Sequence, residues 1–161
     1  IEDRIRLRDT RPFRTDHRQY LSAKKSIFSK IVGEPNAGGF ELAFAKFLDD
    51  APDVVSFAKN YLAVGFKIDY VKADGDLSNY IPDFLVKTGD GVWIVETKGR
   101  TELDLPQKMN RLRQWCEDAT LASVDENGVT YRFVYVDQIG FEKHRPKSFS
   151  TLAASFRDFQ A

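Results

Sequence analysis

Phe40, Ala43, Phe44, Phe47 and Leu48 recur at intervals of three and four, which lays an apolar stripe along one side of a helix running from about Phe40 to Asp50. Pro52 marks its end. The stretch Val54 to Asn60 has no decided period and is ambiguous between strand and turn. From Val64 the period changes to two, with Phe66, Ile68 and Tyr70 alternating against Lys67, Asp69 and Lys72 up to the turn Ala73-Asp74-Gly75-Asp76. A second strand, about Tyr80 to Lys87, ends at Thr88-Gly89-Asp90-Gly91, and a third runs from Val92 to Lys98 and closes at Gly99. Strands joined by turns this tight form an antiparallel meander.

A second helix is predicted from near Asp104, a favourable N-cap residue, with Pro106 tolerated in its first turn. Leu105, Met109, Leu112, Cys116 and Ala119 share one face of it. Tyr131 to Val136, rich in β-branched and aromatic residues, reads as a fourth strand. With a helix intervening, it should run parallel to the third strand through a right-handed crossover. Leu152, Phe156 and Phe159 suggest a closing helix. The expected fold class is α/β: a mixed sheet, made of a three-strand antiparallel meander plus a parallel fourth strand, flanked by helices.

The chain's 161 residues suffice for one domain with a sizeable core. Equal numbers of basic and acidic residues, 24 each, mean that bulk charge says nothing of a nucleic-acid partner; any phosphate-binding surface must come from local clustering. Such a cluster exists in residues 1–32, where Arg4, Arg6, Arg8, Arg11, Arg14, Arg18, Lys24, Lys25 and Lys30 outnumber the acids. We read this segment as connecting or supporting, solvated or docked, in preference to a DNA-binding arm. Gly33, Pro35, Gly38 and Gly39 then break the chain, and 33–161 is the expected main domain.

Cys116 is the only cysteine and there are two histidines, so neither an internal disulfide nor a zinc set is available. No apolar run approaches the ~20 residues that span a bilayer, and the first residues lack the apolar segment of a signal peptide. The expected setting is cytoplasmic, without membrane contact. The chain begins with Ile, which a piece of a longer protein and a processed terminus would both show.

The chemistry concentrates in Tyr80-Ile81-Pro82-Asp83-Phe84-Leu85-Val86 and, after the turn, Trp93-Ile94-Val95-Glu96-Thr97-Lys98-Gly99. Side chains alternate along a strand, so Glu96 and Lys98 share a face, and hairpin pairing brings Asp83 near Glu96. Two carboxylates and an ammonium then meet where an apolar face turns polar. Phosphodiester hydrolysis needs that combination: a divalent cation, an activated water and a stabilised leaving oxygen. Mg²⁺ takes one or two carboxylates together with waters and phosphate. Asp83 and Glu96 could supply them, the carbonyl of Thr97 another oxygen, and Lys98 could orient the water and hold the phosphate. Taken alone, Glu-Thr-Lys is more economically an exposed same-face pair; the Pro-Asp on the preceding strand tips the reading to catalysis.

With these residues the sequence resembles the PD-(D/E)xK nuclease superfamily, and more narrowly the C-terminal endonuclease domain of the restriction (Res) subunit of type III restriction enzymes. The likeness extends from about Gly39 to Phe141 and includes Glu41, Lys59-Asn60, Tyr80-Ile-Pro-Asp-Phe, Val95-Glu-Thr-Lys-Gly and the helix from Asp104 to Trp115. It implies a restriction-endonuclease-like fold, with Asp83, Glu96 and Lys98 as metal-binding and catalytic residues. It also makes Glu41, an acid on the first helix, a candidate for a second-site or water-mediated metal role. The implied activity is Mg²⁺-dependent cleavage of double-stranded DNA, with Mn²⁺ as a substitute. The implied partners are a helicase-like domain in the same parent chain, which would use ATP, and a methyltransferase (Mod) subunit that recognises the target. This chain has no GxxxxGK[ST] loop of its own.

Other residues have plainer alternatives. Lys108 and Arg111 on the second helix could contact DNA phosphate, although an exposed amphipathic helix explains them equally well. Lys59 and Asn60 either position backbone near the site or only form a turn; Tyr80 has no assigned role. Trp93 and Trp115 fit the core better than base stacking, and His17 and His144 read as surface residues. Two other functions share the fold: a repair or branched-DNA nuclease, and a DNA clamp that has lost activity. The retained acids and lysine weigh against the second.

Overall fold

The computed structural model describes residues 5–14, 20–32, 39–98 and 104–157, with the side chain of Lys98 outside the description. Helix α1, Phe40–Asp50, is the predicted one, with its boundaries as expected. Gly39 enters it at φ 80°, a left-handed conformation that glycine adopts at little cost. Phe40, Phe44, Ala45 and Leu48 form its buried stripe.

Four strands make the central sheet: β3 (Val54–Lys59), β6 (Phe84–Thr88), β7 (Gly91–Lys98) and β8 (Tyr131–Asp137), in that spatial order. β3 pairs antiparallel with β6, β6 antiparallel with β7, and β7 parallel with β8. This is the predicted mixed sheet, with a correction to its first strand. Val54 to Asn60, ambiguous by period, supplies it: Phe57, Ala58 and Lys59 are buried in succession while Val55 is exposed, so apolar and polar positions do not alternate.

The segment assigned to the first meander strand instead forms a separate two-stranded hairpin, β4 (Ile68–Val71) with β5 (Leu77–Tyr80). Its turn is the predicted Ala73–Asp76, with Gly75 at φ 93°. The strand expected over Tyr80–Lys87 is therefore two strands. Pro82 has no N–H to give a ladder, and the chain leaves one sheet at Tyr80 and enters the other at Phe84. A further small hairpin, β1 (Tyr20–Ser22) with β2 (Lys30–Val32), buries Ile31 completely.

Alternation along the sheet strands divides the core. Phe84, Val86, Val95, Val134 and Val136 face α1 together with Phe44, Leu48 and Ile31. Leu85, Ile94, Phe133 and Tyr135 face the other way, onto Leu105, Met109, Leu112 and Cys116 of helix α2 (Leu105–Ser123). Helices thus cover the sheet on both sides. Burial pushes the Cys116 thiol up to about 12, with Glu117 adding to the effect, so this cysteine is a packing group. Trp93 packs on Phe149 at 5.4 Å and Trp115 on Phe66 at 5.0 Å, each half-buried at the margin of a core.

Where one closing helix was expected there are two short ones, α3 (Gln138–His144) and α4 (Phe149–Ser155). Leu152 and Phe156 are buried as predicted, and Phe159 lies outside the described residues. His144 sits edge-on to Phe156 at 5.7 Å. Asp53, between α1 and β3, accepts the N–H groups of Phe149 and Ser150 at 2.7 and 2.8 Å and so ties α4 to the far end of the chain.

Burial opposes the Asp53 charge, but those N–H donors outweigh it and hold the carboxyl below its ordinary value. Asp53→Ala is expected to cost about 1 kcal/mol near neutral pH, as capping losses typically do. A depressed folded pKa gives stability that is complete above the unfolded value of about 3.9 and fades as pH falls through the lower folded one. Wild type and Asp53→Ala should therefore differ in melting temperature at neutral pH and converge in acid. Equal melting temperatures at neutral pH would refute this role.

Candidate active site

β3 ends, β6 begins, and β7 and β8 end at one margin of the sheet, so Lys59, Asn60, Asp83, Glu96, Thr97 and Asp137 gather there. The last paired residues of β6 and β7 are Phe84 and Val95. One step beyond, Asp83 and Glu96 occupy adjacent strand ends. The N–H of Asp83 donates to the Val95 carbonyl at 3.1 Å. Its Oδ2 accepts both the N–H and the hydroxyl of Thr97, each at 2.8 Å. One carboxylate oxygen is thus fixed by two donors from the neighbouring strand. Glu96 is only 2% exposed. A carboxylate that deep is sustained by donors or positive charge around it.

Continued one step, the Phe84–Val95 pairing sets Asp83 and Glu96 on the face that carries Leu85 and Ile94, where Tyr80 of β5 is also buried. Its phenol is pushed well above the ordinary tyrosine value, first by burial and then by Glu96, with Asp83 contributing in the same direction. Tyr80 packs in the core that carries Leu85 and Ile94. No local pattern marks its place beside the acids, because that depends on how the β4–β5 hairpin docks.

Asn60 holds the approach to Asp83. It is 5% exposed, and its Nδ2 donates to the carbonyls of Pro82 at 2.9 Å and Phe66 at 3.0 Å. Its own N–H donates to the Asp83 carbonyl at 2.8 Å. The peptide units on either side of the Asp83 α-carbon are therefore both tied to one residue. Of the two readings open for Asn60, positioning of the backbone is the one the structure bears out.

Glu41 does not face bulk solvent. Its Oε2 meets Nζ of Lys59 at 2.6 Å, with the two side chains 15% and 6% exposed, and Lys59 also donates to the Val32 carbonyl at 2.8 Å. Among the described residues, no three His, Cys, Asp or Glu side chains gather as a metal-binding set. Strand β7 brings the Lys98 backbone to the same margin, opposite Asp137.

Lys108 and Arg111 project from α2 toward the β4–β5 hairpin. Nζ of Lys108 lies 5.7 and 5.6 Å from the ring centres of Tyr70 and Tyr80, and Nε of Arg111 donates to the Asp69 carbonyl at 3.1 Å. Both are half-buried and dock the hairpin on the helix. Asp104, expected to cap α2 with its side chain, instead accepts the Ala73 N–H at 2.9 Å. That bond secures the hairpin's turn.

Two carboxylates on adjacent strand ends, one anchored by Thr97 and one buried, match the one or two that a Mg²⁺ site asks of a protein. The donor set fits a hard divalent cation and lacks the nitrogen and sulfur ligands of zinc. Comparison with family models, curated proteins and solved structures finds no match for this chain.

Asn60→Ala leaves the Phe66 and Pro82 carbonyls without their amide donor, an expected loss of about 1–3 kcal/mol. Asn60→Asp, of the same shape, should fare no better, since a carboxylate does not donate. Urea melts of both variants check this. Wild-type stability in either would show that the clamp on Asp83 carries no weight.

Proposed function

We propose that this chain is a Mg²⁺-dependent endonuclease domain that hydrolyses phosphodiester bonds of double-stranded DNA. The observation that carries the reading is the juxtaposition of Asp83 and Glu96 at adjacent strand ends, with Thr97 fixing one oxygen of Asp83. Asp83, Glu96 and the Thr97 carbonyl would hold the cation. When bound at such carboxylates, a divalent cation neutralises charge at the phosphate and favours ionisation of water.

The protein's own groups do the rest. Thr97 orients Asp83, so the carboxylate meets a ligand in one orientation without a search over rotamers. Glu96 brings negative charge into a site with little water, where its attraction for a cation is weakly screened. Lys98, two residues beyond Glu96, is proposed to orient the attacking water and to donate to the phosphate. In-line attack by that water forms the new P–O bond as the bond to the leaving oxygen breaks. Glu41, held by Lys59 at 2.6 Å, would act at a second metal position or through a metal-bound water.

The resemblance of the Tyr80–Phe84 and Val95–Gly99 motifs supports a narrower proposal. The domain would serve a type III restriction enzyme, attached to an ATP-driven helicase-like part of the same chain and working with a methyltransferase subunit. DNA cutting would then be delivered by the assembly and not by target recognition within this domain.

Plasmid cleavage with Mg²⁺, in the assembled complex with ATP hydrolysis measured alongside, tests the reading. Lys98→Ala is expected to fold normally yet lose cleavage by on the order of 10²–10³, the cost of removing one preorganised electrostatic donor. Asp83→Ala should also fail, but with partial recovery at raised Mg²⁺, which Lys98→Ala should not show. A Lys98→Ala complex cutting at the wild-type rate would mean that this constellation is not the active site.

A further inference from the structure

The described part of the basic N-terminal segment lines a groove. Residues Leu7–Phe13 run beside Ile27–Val32 and Tyr61, leaving a groove of about 590 Å³ between them. Its cations are Arg8, Arg11 and Lys30, all exposed; its aromatic wall is Phe13, Phe28 and Tyr61. Among the described residues, no Asp or Glu lines it. In a chain with 24 residues of each sign, a groove lined by three cations and no described acid is a local segregation of charge. The three rings pack as one cluster, with centroids 5.0 Å apart for Phe13 and Tyr61, 5.7 Å for Phe28 and Tyr61, and 6.5 Å for Phe13 and Phe28. Phe13 is 41% exposed, so one ring of the cluster remains open to a ligand.

The groove is joined to the candidate site through a short run of bonds. The Tyr61 hydroxyl accepts the Val32 N–H at 2.8 Å, and the Val32 carbonyl accepts Nζ of Lys59 at 2.8 Å. Tyr61 follows Asn60, whose N–H and side chain hold the peptide units around Asp83. Tyr61 of the groove wall is thus one residue from the sheet margin where the two carboxylates stand.

We propose that this groove binds the sugar–phosphate backbone of the DNA on the approach to the active site, with Arg8, Arg11 and Lys30 on phosphates and the Phe13 ring against a sugar or an unstacked base. The inference deepens the nuclease reading and rests on it for the identity of the ligand. A polynucleotide fits on two counts. It presents regularly spaced anionic groups to cations that share their groove with no described acid. It also offers flat rings and sugars to an aromatic wall, which an acidic peptide lacks.

The test is fluorescence anisotropy of a labelled DNA duplex with this chain, in Ca²⁺ so that binding is read apart from cutting, across a salt series. The triple variant Arg8→Ala/Arg11→Ala/Lys30→Ala changes exposed residues and should keep the wild-type melting temperature. Its affinity is expected to fall at least tenfold at low salt, and its salt dependence to flatten by about 0.9 in log–log slope for each phosphate no longer neutralised. The triple Lys/Lys/Arg exchange at the same positions should retain most of the affinity and slope. Phe13→Ala should weaken binding with the slope unchanged. Wild-type affinity and slope in the triple alanine variant would overturn the inference, as would equal competition by a polyglutamate peptide. Cleavage in Mg²⁺ by the assembled complex separates the two claims: groove-dependent binding by a wild-type chain whose complex hydrolyses ATP but never cuts would remove the nuclease reading and leave the groove standing.

Discussion

Strand β6 lies on β7 with Phe84 opposite Val95, and everything at the candidate site follows from that register. Both faces of these strands are buried, so a slip by one residue would turn Phe84, Val86, Ile94 and Val95 to the wrong cores at once. Gly91 helps to fix it. The residue sits at φ 145°, and a Cβ there would come within 2.2 Å of the Thr130 carbonyl oxygen, so only glycine closes the β6–β7 turn in this way. With the turn fixed at one end, Asp83 and Glu96 are delivered to the other. Thr97 completes the delivery through two hydrogen bonds to one carboxylate oxygen.

Around that margin the protein keeps an unusual amount of buried polarity. Lys59, Asn60, Glu96 and Thr97 are all buried, and Lys59 is matched with Glu41. Such groups are retained at a cost unless each is satisfied, and removing one member of a buried ion pair typically costs about 3–5 kcal/mol. Their concentration at one end of the sheet, with apolar cores elsewhere, is the pattern expected where a fold gives up stability to hold charge in place. Asn60 links the two halves of this arrangement, since it follows β3 directly and its bonds end on Pro82 and Asp83.

Much of this was legible in the sequence where periodicity was long and faces were distinct. The stripes of α1 and α2 and the apolar run of β8 gave their elements, and the Gly-containing turns at 73–76 and 88–91 gave both hairpins. β3 was not legible, because Phe57, Ala58 and Lys59 are buried in succession without alternation, and Lys59 is a charge held by Glu41 of α1. The division at Pro82 went unread because Tyr80 and Phe84 both look like strand residues; only the missing N–H separates their sheets. Asp83 and Glu96 were found from spacing, since a hairpin converts spacing directly into proximity. The partners of Glu41, Tyr80 and Asp104 could not be found that way. Each depends on how one element docks on another, which local pattern does not encode.

Mn²⁺ binding, followed as the loss of the free-ion electron paramagnetic resonance signal, tests most directly whether Asp83 and Glu96 form one cation site. The account predicts a single bound Mn²⁺ per wild-type chain, displaced by Mg²⁺, and its loss in Glu96→Gln, which keeps the side chain's shape and removes its charge. Glu96→Gln protein that is folded and binds Mn²⁺ as tightly as wild type would contradict it.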